Sequence, residues 1–181
     1  MTTDPTQIDI RPVTVNFENY QDHVVQIYRE AYSLPPYNET EEKIQVFAQA
    51  WGERMAYRGF MLVMAYDRDR PVGMAYGWSS YEESQWTQKL KNQLGEAAEF
   101  WTKDNFEFAD FAVSPDYQGK GISSRLYKSL FENISHKTAI LYTHQSETSA
   151  YKIYLKKGWE VLREDLVFKS GKKFYLMGLR L

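Results

Sequence analysis

The sequence predicts an α/β fold, a mixed sheet flanked by helices in one domain. Three observations predict it. Apolar runs of strand length and helical stripes alternate along the chain. Hydrophobic residues make up 43% and charged residues 25% of the 181 residues, near the globular average, which supplies a core and argues against disorder. Residues 111–127, FAVSPDYQGKGISSRLY, set two glycines and a lysine at a seam between an apolar strand and a helix.

The elements follow in order. Ile8 to Val15 alternates loosely and reads as a first strand. Over residues 19–33, Val24, Ile27, Tyr28 and Ala31 recur at helical spacing, and Pro35-Pro36 stops that helix. Asn38 is placed to cap the next helix, with Glu41 completing a capping box. Ile44, Phe47, Ala48, Trp51 and Met55 form its apolar stripe, and Gly59 suits its end. Phe60 to Tyr66 is apolar throughout and reads as a buried strand, with Val72 to Trp78 as its hairpin partner across Asp67–Pro71. Residues 79–104 read as an excursion of one or two short helices, carried by Trp86, Leu90, Leu94, Ala98 and Trp101. Phe106 to Val113 is a strand, and Ile122, Leu126, Leu130 and Phe131 give the face of a helix that begins at the glycines. Ala139 to Thr143 is a short strand. Thr148 to Lys157 is a helix with Gly158 and Trp159 placed for a Schellman ending. Glu160 to Phe168 and Lys172 to Leu179 form a last hairpin around Ser170-Gly171.

Charge and composition exclude several functions. Lys and Arg (22) nearly balance Asp and Glu (24), so no bulk attraction to nucleic acid is expected. The chain has no Cys, which removes disulfides, thiolate metal sites and a Cys nucleophile. Three scattered histidines, His23, His136 and His144, do not suggest a metal site, and none is expected. No apolar run approaches membrane-spanning length, and the N-terminus lacks a basic start followed by an apolar run. A cytoplasmic, soluble protein without a membrane partner is the expectation.

The glycine seam has a chemical reading. A helix N-terminus offers unpaired N–H groups and a partial positive charge, and glycines let the backbone approach an anion. A strand, a glycine turn and a helix therefore make a phosphate cradle. The Walker loop G-x-x-x-x-G-K-[ST] is absent, since Lys120 precedes Gly121. The dinucleotide fingerprint fails for want of its third glycine, and the seam lies too late in the chain for it. The pyrophosphate loop of coenzyme A acetyltransferases, [QR]-x-x-G-x-[GA], fits Gln118-Gly119-Lys120-Gly121-Ile122-Ser123 in all but the last place, where Ser is a small substitute.

A second motif joins the first. In SAYKIYLKKGWEVL, residues 149–162, Ala150, Ile153-Tyr154 and Gly158-Trp159 fall at a spacing found in the same enzymes. On these two motifs and its element order, nearly the whole chain resembles the GCN5-related N-acetyltransferases (GNAT). The resemblance implies a mixed, mostly antiparallel sheet of about six to seven strands, splayed after strand four. It implies one acetyltransferase domain over 1–181: acceptor-side elements at roughly 1–105, an acetyl-CoA-binding core at roughly 106–168, and a C-terminal hairpin at roughly 160–180. One departure stands: Glu147 occupies a place where the family often has Asn.

The resemblance also implies roles. Acetyl-CoA is the cosubstrate. Its pantetheine arm would bond to the backbone of Phe111, Ala112 and Val113, and its pyrophosphate to Gln118, Gly119, Lys120, Gly121, Ile122, Ser123 and Ser124. Tyr154 would protonate the departing sulfur. The base would be a carboxylate of strand four, Glu107 or Asp110. Three apart, these two point to opposite faces of a regular strand unless a bulge intervenes. Asp110 then shares a face with Phe106, Phe108 and Ala112, while Glu107 stands where histone-acetylating relatives carry a catalytic Glu. The expected acceptor is a small-molecule amine; a protein amine and a non-catalytic acyl-CoA sensor are the alternatives. Tyr32, Tyr37, Tyr57, Trp78, Tyr81 and Trp86 suit either a pocket wall or packing. Dimers are common in the family, and the last hairpin is the candidate contact.

Overall fold

The computed structural model describes residues 7–81, 84–168 and 171–181. The strands are β1 (Ile8–Val13), β2 (Met61–Asp67), β3 (Arg70–Ser79), β4 (Asn105–Val113), β5 (Thr138–His144), β6 (Glu160–Val167) and β7 (Lys173–Arg180). The helices are α1 (Gln21–Tyr32), α2 (Glu41–Gln49), α3 (Trp51–Met55), α4 (Gln85–Leu94), α5 (Ala98–Thr102), α6 (Ile122–Phe131) and α7 (Ser149–Lys156). The strands form one mixed sheet, as expected, and its order is β1-β2-β3-β4-β5-β7-β6. β4 and β5 are parallel, and their register covers Asn105–Glu107 against Thr138–Ile140 although β4 runs on to Val113. A splayed sheet has this short parallel register. No helix among the described residues is long and apolar enough to cross a membrane.

The chain divides into two compact units, Met1–Gly77 with Asp110–Ile134, and Trp78–Ala109 with Ser135–Leu181. In the first, β1 and β2 pair antiparallel and β2 turns into β3 through Arg68-Asp69. The apolar run expected to be a buried strand is one: Leu62 to Tyr66 lie inside. Val24 and Ile27 of α1, Ile44 and Phe47 of α2, and Trp51 of α3 supply the helical side of the core. Burying each such side chain contributes about 1.5–3 kcal/mol. Two expectations give way here. The single stripe from Ile44 to Met55 is two helices, because the chain breaks at Ala50. Thr40, not Asn38, precedes α2, and Asn38 takes the left-handed conformation with φ 51°.

In the second unit, β5, β7 and β6 are antiparallel neighbours. The excursion resolves into α4 and α5, joined by a 3-10 turn at Gly95–Ala97. Ser84 caps α4, its side chain accepting from the Thr87 N–H at 2.9 Å. Leu90, Leu94, Ala98 and Trp101 close on Ile140 and Leu176 to form the core. A Cβ at Gly178 would stand 2.6 Å from the Trp101 ring, so only hydrogen fits there. Ser170, part of the expected last turn, lies outside the described residues; Gly171 is left-handed with φ 72°.

Candidate active site

The glycine seam in the first unit is built as the residues require. β4 ends at Val113, Pro115–Tyr117 makes one 3-10 turn, and α6 starts at Ile122. Gly119 and Gly121 both take left-handed φ, 74° and 76°, which residues with a Cβ rarely adopt. A Cβ at either meets nothing within 4 Å, so the loop backbone lies open on that side. Gly121 caps α6 without a side-chain bond, and no acidic residue occupies the first turn. The helix N-terminus therefore keeps its positive end for an incoming anion. Gln118 Nε2 donates to the Val113 carbonyl at 3.0 Å and ties the loop to the strand. Lys120 Nζ donates to the Asp116 carbonyl at 2.8 Å and lies 4.9 Å from the Tyr117 ring centre. Ser123 and Ser124 lie in the first turn of α6, and the side chain of Ile122 is buried beneath it. These residues fit a pyrophosphate: an open, positive helix end reached over backbone that carries no side chain at two positions.

The two strand-four carboxylates differ in their surroundings. In the first unit, Asp110 accepts a short hydrogen bond from the hydroxyl of fully buried Tyr76. Burial raises the Asp110 pKa, against the charge of Arg54 and the Tyr76 bond, which lower it. Arg54 stands over the Phe47 ring at 4.5 Å, and Phe47 stacks on Tyr28 at 3.8 Å. Asp110 is thus held in a network of polar partners and does not simply share an apolar face with its strand neighbours. Tyr32, expected at a pocket wall or in packing, reaches the Phe111 carbonyl with its hydroxyl at 3.4 Å.

In the second unit, Glu107 is buried and bonded at both oxygens. Trp78 Nε1 donates to Oε2 at 2.7 Å, and Ser80 Oγ lies 2.9 Å from Oε1. Burial pushes its carboxyl up to about 7, although both hydrogen bonds pull the other way. Glu107 takes its donor from Trp78, and Asp110 takes its donor from Tyr76, two residues earlier on β3.

Tyr154 is buried on α7, where Thr148 caps the helix by accepting from the Tyr151 N–H at 3.1 Å. The helix ends as its sequence requires: Gly158 has φ 86°, Trp159 N–H donates to the Tyr154 carbonyl and Gly158 N–H to the Leu155 carbonyl, each at 3.1 Å. This Schellman ending folds Trp159 back beside Tyr154, ring centres 5.9 Å apart, with Phe108 6.2 Å from Tyr154. Glu147 is exposed and pairs with Lys152 at 3.5 Å. His144 is the last residue of β5, its ring 4.5 Å from Phe174.

The sequence reading missed Tyr76, Ser80 and Arg54, and left Trp78 without a partner. One signal was available. Tyr76 and Trp78 on β3 and Ser80 just past its end recur every second residue, and each carries a polar tip. Arg54 gave no signal, since a helical Arg is ordinarily solvated.

The protein-family model for the acetyltransferase (GNAT) family matches residues 22–159. A search of curated protein sequences finds no match. Solved structures align over nearly the whole chain. An aminoglycoside 6'-acetyltransferase type Ii aligns at 18% identity and TM-score 0.67, covering 95% of this chain and 96% of its own. The PaiA N-acetyltransferase of Thermoplasma acidophilum in complex with coenzyme A aligns at 13% and 0.63, covering 96% and 99%. The ribosomal-protein-S18-alanine N-acetyltransferase of Escherichia coli aligns at 16% and 0.62, covering 95% and 94%. At these identities the alignments establish the fold, and the family match adds the chemistry. The chain belongs to the GNAT family and is an N-acetyltransferase.

Proposed function

We propose that the protein transfers the acetyl group of acetyl-CoA to the primary amine of a small molecule. The observation that carries the reading is Glu107, a buried carboxyl held by Trp78 and Ser80 whose proton affinity lies near neutrality. A general base works best when its pKa is close to the operating pH. Gln118 to Ser124 hold the pyrophosphate on backbone N–H groups, and the backbone of Phe111 to Val113 takes the pantetheine arm. Bound acetyl-CoA supplies a thioester carbonyl open to attack. Glu107 takes the proton of the attacking amine, directly or through water. Tyr154 gives its hydroxyl proton to the sulfur as the carbon–sulfur bond breaks and the nitrogen–carbon bond forms. Asp110 keeps its bond to Tyr76 and serves that network, not the amine. The near-balanced charge favours a small acceptor over a nucleic-acid-bound or ribosomal one. A cytoplasmic setting and a homodimer through the β6–β7 hairpin belong to the same reading.

Thermal shift with acetyl-CoA, coenzyme A, ATP and NAD in parallel tests the cosubstrate. A ligand at about a hundred times its dissociation constant adds roughly 2.7 kcal/mol of stability. Acetyl-CoA and coenzyme A are expected to stabilise the protein, and ATP and NAD are not. Thiol release across a panel of amines then tests transfer. Tight coenzyme A binding with no release from any amine would replace this reading with an acyl-CoA sensor. Release with an N-terminal peptide alone would make the acceptor a protein.

A further inference from the structure

Register places a second group of side chains on the side of the sheet that Glu107 occupies in the second unit. Glu107 and Ile140 are parallel partners, so their side chains rise on one face. Tyr142 and His144 follow at two and four residues along β5, and their partners on β7 are Leu176 and Phe174. α4 and α5 cover the part of this face around Ile140 and Leu176. Toward the first turn of α4 the face becomes aromatic. Trp86 and Phe168 lie nearly parallel, at 19° and 6.2 Å. Tyr142 is 4.9 Å from Trp86 and 5.2 Å from Phe168, and Phe174 is 5.0 Å from Phe168. Trp86, Tyr142, Phe168 and Phe174 all stay partly exposed, while Leu90 and Leu176 on the covered part are at 0%. The Tyr142 hydroxyl donates to Gln93 Oε1 at 3.1 Å, which fixes the ring. The charge of Glu107 reaches Tyr142: after burial, it is what raises the pKa of that phenol.

We propose that these rings form the acceptor subsite and that the acceptor is an arylalkylamine, its ring laid against Trp86 and Tyr142 and its amino group at Glu107. The inference rests on the acetyl-transfer reading and names the substrate class for it. The spacing suits such an amine. Tyr142 lies two residues beyond Ile140, the partner of Glu107, about 6–7 Å along the strand. A ring with a two- or three-carbon aminoalkyl arm spans that length. The carboxylate draws the ammonium in; the ammonium loses one proton to solvent, and the neutral amine gives its second to Glu107 as it attacks. Aromatic walls favour a flat ring by offset and edge contacts beyond the area buried.

The test follows thiol release by the full chain with acetyl-CoA and four acceptors: tryptamine, phenethylamine, n-butylamine and spermidine. Both aryl amines should exceed butylamine and spermidine in kcat/KM by about tenfold or more, the scale of discrimination an apolar pocket provides. Trp86→Ala should bring the aryl and alkyl values together, and Trp86→Phe, which keeps a ring, should retain most of the preference. Equal use of butylamine, or a preference for spermidine, would overturn the inference and leave acetyl transfer standing. No release from these four, with release from another amine of the wider panel, would overturn the inference alone; no release from any amine or peptide, with coenzyme A still bound, would overturn the acetyl-transfer reading with it.

Discussion

Glu107 carries the opposed forces of the site in one side chain. Burial favours the neutral acid, and the Trp78 and Ser80 donors favour the anion; burial wins, and the carboxyl rests at about 7. As the base of the proposed reaction it works only when deprotonated. The expected pH profile of kcat/KM rises through about 7 and levels above it, and Glu107→Gln removes that limb along with about 10²-fold or more of the rate. A wild-type profile that is flat from pH 6 to 8 would take Glu107 out of the role. Tyr154 is tested by another split. Tyr154→Phe keeps the ring contacts with Phe108 and Trp159, so the fold and coenzyme A affinity should hold while kcat falls by about 10²-fold. Unchanged kcat would leave Tyr154 as a core residue alone.

At the scale of elements, the strand–loop–helix from β4 to α6 depends on backbone conformation more than on side chains. Gly121 stands at φ 76° with no atom near its missing Cβ, so Gly121→Ala meets strain in the backbone and none in packing. The left-handed conformation costs a residue with a Cβ about 1–2 kcal/mol. In a chain of this size that lowers Tm by roughly 2–8 °C. If the loop binds pyrophosphate, the variant should also lose most of the stabilisation by coenzyme A, because the new methyl obstructs the approach to the backbone. A lowered Tm with the coenzyme A shift intact would reduce the glycine to a turn residue. The same logic explains α7, where Gly158 bends the chain so that Trp159 returns to the helix it has just left.

At the scale of the whole molecule, the buried carboxyls shape stability against pH. Glu107 and Asp110 are both raised chiefly by burial. An acid whose folded pKa lies above its unfolded value binds more protons folded than unfolded across that interval, so stability falls as pH rises through it. For Glu107 the interval runs from the ordinary 4.5 to about 7. Its contribution is present in full below about 4.5 and lost by about pH 7, a change of up to roughly 3 kcal/mol. Denaturant unfolding from pH 5 to 8 should show this decline, and Glu107→Gln should flatten it. A decline of equal size in the variant would assign the effect to other groups.

The sequence by itself determined what depends on local pattern and on residue type. Seven strands, the helical stripes, the glycines of the loop and the Gly158–Trp159 ending were legible, because period, φ preference and missing side chains act within a few residues. Both family motifs belong to this class, and with them the glycine loop between β4 and α6. Tertiary structure decided the rest. Trp78 and Ser80 become partners of Glu107 only when strands about 29 and 27 residues apart come together. The same holds for Tyr76 and Asp110, whose meeting draws the second carboxylate into another network. Burial sets the proton affinity of Glu107, and burial is a property of everything packed around a residue and not of the residue alone.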